Sequence, residues 1–256
     1  MALEMPSLAG WLRSVRTFRG LTREAAALRA HVSVSYIRRI ENEQLIPGRQ
    51  ILDHLISAYE LDDPQARFTR ELCEPPYELP PLEVLRKLIA TPDRLANLEQ
   101  LDRIGIQSMY IDPLQNVLAY NNSYADAVPG VIEEGSANLL LWAFPPTGGT
   151  PAMDERYPEP HLSLETVMRV ALARAAFGRH RDAPRAIQLF ELLCRNDRFV
   201  AVWEGGIDVA YTREPGNLLQ RFDPDTGKPY TASVEVTEMP GLYGVRLFTS
   251  VPRRSP

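Results

Sequence analysis

The side chains best suited to recognition chemistry stand in one short run, Ser33-Val34-Ser35-Tyr36-Ile37-Arg38-Arg39-Ile40-Glu41-Asn42. An arginine guanidinium offers a planar fork of N–H donors that fits guanine O6 and N7 or a phosphate, and a small apolar side chain such as Val34 can meet a thymine methyl. Read as a helix, the run turns Ile37 and Ile40 inward and leaves Val34, Ser35, Arg38, Arg39 and Asn42 for the outer face or its edges. Ser33 is placed to cap that helix. Outside the run, Arg16, Arg23 and Arg49 are the expected phosphate ligands.

Spacing for catalysis or for a metal is missing. His180-Arg181-Asp182 spells a kinase catalytic-loop triplet, but no phosphate-covering glycine loop, strand lysine or DFG accompanies it. Asp223, Asp225 and Gly227 stand like part of a calcium loop, yet the bidentate glutamate expected nine positions after Asp225 is Val234, so the segment reads as a turn. The four histidines show no paired ligand spacing, and Cys73 and Cys194 form no CxxC motif. The expectation is a protein that is not an enzyme and holds neither metal nor cofactor.

Two short helices joined by a tight turn would position the arginines. Thr22 can cap the first, which runs through Glu24 and the small residues Ala25, Ala26 and Ala27. The turn falls around Ala30, His31 and Val32. From Trp11 to Gln50 eight arginines face three glutamates, a local net charge of +5, while the whole chain carries −5. Positive charge is thus concentrated where a polyanion would sit. Lys87 and Lys228 are the chain's two lysines, so the preference for arginine is global.

At 256 residues and 45% hydrophobic content, the chain can bury a sizeable core. No apolar run approaches the roughly 20 residues needed to span a bilayer, and MALEMPSLAG lacks the basic and apolar regions of a signal peptide. Both point to a cytoplasmic protein with no membrane partner.

Pro47 and Gly48 break the chain before a helix carrying Ile51, Leu52, Leu55, Ile56 and Tyr59, and Asp63 with Pro64 is expected to start the next. EPPYELPP, residues 74 to 81, cannot continue a helix and marks the expected boundary: residues 1–75, a linker and relay helix over 76–88, and a second domain over 89–256. Beyond it the pattern predicts a helix PLEVLRKLIA and a hairpin of IQSMYID with NVLAYN. Helical segments follow over 122–127, 137–144, 162–177, 184–194 and 197–203, then strand-like runs over 208–212, 217–222, 230–237 and 243–250. The fold class is α+β: an all-α N-terminal domain of five helices, then one antiparallel sheet wrapped by helices. The alternation in TASVEVTE is what an outer strand should show.

The run from Arg19 resembles the Xre/Cro/C1 class of helix-turn-helix domains, R-G-L-T-Q-E-x-L-A-x-x-x-G-V-S-x-x-Y-I-S-R-I-E-x-G. The chain keeps Arg19, Gly20, Leu21, Thr22, Glu24, Ala27, Val32, Ser33, Tyr36, Ile37, Arg39, Ile40 and Glu41. Arg23, His31 and Glu43 replace a glutamine and two glycines. If His31 takes the positive φ of the family glycine, it costs about 1 kcal/mol or more. With Glu43 in place of the second glycine, Asn42 is the expected left-handed helix stop.

Further along, Leu118-Ala119-Tyr120-Asn121 is similar to an L-A-W-N motif, Asn138 to Leu141 with Phe144 to N-L-L-x-x-x-F, and Phe199 to Trp203 to F-x-x-x-W. In this order behind the N-terminal domain they resemble the MmyB-like regulators, which join an Xre-type domain to a PAS-like ligand-binding domain. The family's aspartate-tryptophan pair is missing from GGTPAMDERYPEP, and its H-P-x-x-G histidine is Asp223 here.

The resemblance implies double-stranded DNA as partner, a homodimer, and a small apolar effector such as a fatty acid. Tyr110, Leu118, Tyr120, Trp142, Phe144, Phe190, Phe199 and Trp203 are the residue types that could line an apolar pocket. Asn121 must satisfy a polar side chain at the end of an apolar strand, and capping the next helix is the expected way, ahead of ligand contact.

Overall fold

Polar caps start the N-terminal helices. In the computed structural model, which describes residues 3–128, 130–131, 137–147, 153–213, 218–223 and 226–253, Ser7 caps α1 (Leu8–Phe18) and Thr22 caps α2 (Arg23–Arg29). Ser33 caps α3 (Val34–Glu41), its hydroxyl accepting from Tyr36 N at 3.2 Å. Gly48 precedes α4 (Arg49–Ala58). The cap of α5 (Asp63–Glu71) is Asp62 and not Asp63, because Asp62 Oδ1 accepts from Gln65 N while Gln65 Oε1 accepts from Asp62 N. Pro64 then sits one place further into the first turn.

Contacts divide the chain into two compact units. The first comprises Met1–Glu78, Val170–Glu191 and Phe199–Tyr211, and the second Leu79–Arg169, Leu192–Arg198 and Thr212–Pro256. The first passage from one to the other thus falls inside the proline-rich stretch. The first unit also takes in segments that the sequence reading groups with the C-terminal half: the later part of α10 (His161–Arg179), most of α11 (Pro184–Leu193), and most of α12 (Asp197–Gly205).

The first unit has one core, in which Leu12, Val15, Ile37, Ile40 and Leu55 of the N-terminal helices pack with Ala175, Ile207 and Val209. Trp11 meets Phe68 edge-on at 5.0 Å and donates its indole N–H to Thr69 Oγ1 at 2.8 Å. Residues 208–212, expected as a strand, form none. Ile207 and Val209 bury themselves against helices instead, and the local backbone is satisfied one bond at a time: Gln65 Nε2 donates to Ile207 O at 3.1 Å, and Ala210 N to Ala171 O at 3.1 Å. Apolar alternation alone does not separate a strand from an extended segment laid on helices.

The second unit holds a five-stranded antiparallel sheet of order β2-β1-β5-β4-β3, built from β1 (Gln107–Ile111), β2 (Val117–Tyr120), β3 (Leu218–Phe222), β4 (Pro229–Glu238) and β5 (Arg246–Arg253). The predicted hairpin is β1 with β2, and β1 pairs with the last strand. TASVEVTE lies in β4, between β5 and β3, and is therefore not an edge. Its alternation reports a half-solvated face, a property of interior strands as well. Asn217, where the third strand was expected to begin, lies outside the described residues, as do Pro224 and Asp225 of the following turn. That turn is closed by Gly227 N donating to Asp223 O at 2.9 Å.

Two helices precede the hairpin, the expected α6 (Leu82–Ile89) and α7 (Pro92–Arg103), for which no expectation was formed. Leu85, Ile89 and Leu98 of this pair form a core with Tyr110 and Val245. Asp102 at the end of α7 accepts from the backbone N and the hydroxyl of Ser123, both at 2.7 Å, which ties it to α8 (Asn122–Ala127). All five residues of β1 are buried, so the sheet is covered on both faces along this strand, next to the β2 edge.

Candidate nucleic-acid interface

Helix α3 presents two faces of opposite character. Ile37 and Ile40 are buried, whereas Ser35, Arg38, Arg39 and Asn42, spaced i, i+3, i+4 and i+7, are all exposed. Val34 is half-buried and packs on the core, so it stands at the edge of the outward face. Ser33 is exposed with its hydroxyl 3.0 Å from that of Ser35, and Arg49, first residue of α4, is exposed.

Two backbone positions set the orientation of this helix. His31 takes φ 55° in the turn, the left-handed conformation expected of it, and Val32 N then donates to Ala27 O at 3.0 Å. At the far end the left-handed residue is Glu43, φ 59°, and not Asn42, φ −103°. The backbone conformation of the family glycine is kept although its residue type is not: Gln44 N donates to Arg39 O at 2.9 Å, a closure that needs positive φ one residue earlier.

Glu41 is the residue behind this face that the outward-looking sequence reading missed. Its carboxylate, 1% exposed, accepts from Arg16 Nε at 2.5 Å and from Arg23 Nε at 2.8 Å, and Arg13 donates to its carbonyl. One side chain thereby joins α1, α2 and α3. Burial alone would raise the Glu41 carboxyl, but the two guanidiniums outweigh it and hold it below its ordinary 4.5, and Arg16 is raised in turn by its bond to Glu41. Arg16 also donates to Leu21 O at 2.8 Å, which commits a phosphate candidate largely to the interior. Arg23 keeps 38% of its side chain exposed. The signal in the sequence was the charge itself, a glutamate among apolar positions with arginines on two preceding helices.

The expected lining residues of the apolar pocket are divided between the units. Phe190, Phe199 and Trp203 belong to the first, where their rings and that of Phe177 pack with centroids 5.2–6.3 Å apart. Tyr110, Leu118, Tyr120, Asn121, Trp142 and Phe144 belong to the second. Tyr110 and Leu118 join the core beneath α6 and α7, and Tyr120 is exposed. Trp142, in α9 (Leu139–Ala143), and Phe144 are buried. Asn121 caps α8 as expected: its Oδ1 accepts from Tyr124 N and Ser108 N, both at 3.0 Å, and its Nδ2 donates to Ile106 O at 2.8 Å.

Residues 7–68 match a protein-family model described as a helix-turn-helix domain. No curated protein matches the chain. The match covers α1 to α4 and most of α5, the segment that presents the exposed stripe of α3. Among the described residues no helix is long and apolar enough to cross a membrane, and no cluster of three or more metal-ligating side chains occurs.

Proposed function

We propose that this chain is a transcription regulator that reads an operator with α3 and senses a small apolar molecule, of fatty-acid-like kind, with a PAS-like second unit. The observation that carries the DNA contact is the exposed stripe Ser35, Arg38, Arg39 and Asn42 on a helix whose opposite face is buried, within a matched helix-turn-helix domain. Arg38 and Arg39 supply the base-reading guanidiniums, Ser35 and Asn42 adaptable hydrogen bonds, and Arg49 with Arg23 the phosphate contacts. A homodimer would set two such helices on paired half-sites.

Sensing is supported by the antiparallel sheet with β1 buried along its length and by the motif order that resembles the MmyB-like regulators. A ligand alters DNA affinity only by binding two arrangements of the protein unequally, and the stretch from Glu74 to Lys87 is the proposed relay. A second reading makes the C-terminal half a dimerisation module without an effector; it is favoured by the finding that three of the expected lining residues, Phe190, Phe199 and Trp203, pack on one another in the first unit instead. Selection of bound fragments from random DNA, with and without cell extract, decides between them. Enrichment of one sequence supports the DNA reading, and dependence of that enrichment on extract supports sensing. Failure to enrich any sequence removes the regulator reading.

A further inference from the structure

Helix α6 carries two apolar stripes, and its own unit buries one. Leu85 and Ile89, one turn apart, are fully buried in the core with Leu98, Tyr110 and Val245. Val84 and Leu88, at the same spacing one position earlier, are 43% and 37% exposed. A helix that only covers a sheet needs a single apolar face, with polar residues on the remainder. In α6 the apolar surface runs on past the core to a second side. The following turn extends it: Arg94 donates to Leu88 O at 2.6 Å, which fastens the start of α7 to the end of α6, and Leu95 beside it is 41% exposed.

The charges along the second stripe complement their own reverse. Glu83 and Lys87 precede Val84 and Leu88 by one residue each, so both stand on the same flank of the stripe, the acid toward the start of the helix and the base toward its end. A two-fold axis that sets two copies of α6 antiparallel brings Glu83 of one beside Lys87 of the other, and does so twice. A parallel pairing puts the two flanks on opposite sides of the seam, where neither charge meets its opposite. Both groups have capacity for such a bond. Among the described residues Lys87 has no ion-pair partner, and Glu83, with 73% of its side chain exposed, gives one oxygen to Arg86 at 2.9 Å. An occupant of one sign would attract one of the two charges and repel the other. A second copy of the helix, reversed, satisfies both.

We propose that α6 joins two copies of this chain, paired antiparallel about a two-fold axis with Val84 and Leu88 at the seam and Glu83 of each copy on Lys87 of the other. This rests on the homodimer reading and names its surface. The apolar seam supplies the attraction and the flanking charges set the direction, as they do in other paired helices.

The test uses the full chain, followed by sedimentation over a series of concentrations. The wild type should associate to a dimer, and Leu88→Glu should weaken that association about tenfold or more while keeping the circular dichroism of the folded chain, because each copy would then bury a charge at the seam. Lys87→Glu and Glu83→Lys should each associate less than the wild type, since like charges then face each other, and mixing the two variants should restore the dimer. A carbodiimide, which joins a carboxylate directly to an amine, can make no link between positions 83 and 87 within either variant, so a covalent heterodimer joined at those positions reports the antiparallel pairing. A mixture no better associated than its components, or a dimer that Leu88→Glu leaves intact, would overturn the α6 contact and keep the homodimer reading. A wild type that stays a single copy at every concentration removes both.

Discussion

Arg16 on α1 and Glu41 at the end of α3 meet at 2.5 Å, and Arg23 on α2 closes the other side of the same carboxylate at 2.8 Å. The helix bearing Arg38 and Arg39 is thus fixed by a buried ion pair at its C-terminal end, one residue before Asn42. Glu41→Ala would leave Arg16 largely buried without a counter-charge and should destabilise the first unit by about 2–3 kcal/mol in urea unfolding. That is below the full cost of breaking a buried pair because Arg23 is partly solvated. An unchanged midpoint would show the pair to be worth no more than a surface one.

The same carboxyl gives the first unit an acid sensitivity of defined sign. Glu41 is held below its ordinary 4.5, so the bound form favours the ionised group; its contribution is complete above that value and is lost as pH falls through the lowered one. Stability followed by denaturant titration should decline below pH 4.5. A Glu41→Gln protein should start lower and decline less, and parallel curves would assign the acid loss to other carboxylates.

Arg39 and Arg16 should behave differently although both were candidates for DNA contact. Arg39→Ala should weaken operator binding by about 1–3 kcal/mol and relax the sequence preference at one position, with folding stability unchanged. Arg49→Ala should weaken binding to all sequences alike and reduce the salt slope by about one. Arg16→Ala should act on unfolding first, because its donors serve Glu41 and Leu21 O. A stable Arg16→Ala protein with a reduced salt slope would return that residue to the phosphate contacts.

Replacing the left-handed residues by the glycines they displaced should help folding. His31 and Glu43 have φ of 55° and 59°, where a Cβ costs about 1 kcal/mol. His31→Gly and Glu43→Gly should each stabilise by about 0.5–1 kcal/mol, less whatever the larger unfolded-state entropy of glycine returns. Thermal melting reads this directly. A loss on His31→Gly alone would assign value to the His31 ring, 6.4 Å from that of His54.

What the sequence made legible followed local chemistry. Thr22, Ser33 and Asn121 cap the helices they were expected to cap, because a short polar side chain before a helical run has few other uses. Asp62 was passed over for Asp63 because the pattern of cap followed by proline does not reveal which of two aspartates faces Gln65 N. The two-faced character of α3 was visible in the spacing of Ile37, Ile40, Arg38 and Arg39. What was not visible depends on contacts distant in sequence. Ile207 and Val209 alternate like a strand but join a helical core, and α7, with Leu98 as its one buried residue, has too weak an apolar stripe to announce itself. Glu41 looked like one more solvated charge until helices from residues 8 and 23 onward delivered Arg16 and Arg23 to it.

The most distant of those contacts is also the most sharply testable. Gly178, near the end of α10, lies so close to α5 that a Cβ built on it would stand 2.1 Å from Phe68 Cε2 and 2.8 Å from Cζ. Phe68 is fully buried and held edge-on by Trp11, so its ring has nowhere to retreat without moving α1 as well. Gly178→Ala should therefore destabilise the first unit by about 1–3 kcal/mol or more, as overpacking does, despite the better helix propensity of alanine. Gly205→Ala, at the end of α12 where an added Cβ meets nothing within 4 Å, is the matched control and should be close to neutral. Phe68→Leu should recover part of the loss in the Gly178→Ala background, because it removes the atoms that clash, while costing stability on its own. If Gly178→Ala proves neutral and Phe68→Leu is no better tolerated beside it, the packing of α10 on the helix-turn-helix core is not the close contact described, and the first unit would have to hold together through Ile207 and Val209 instead.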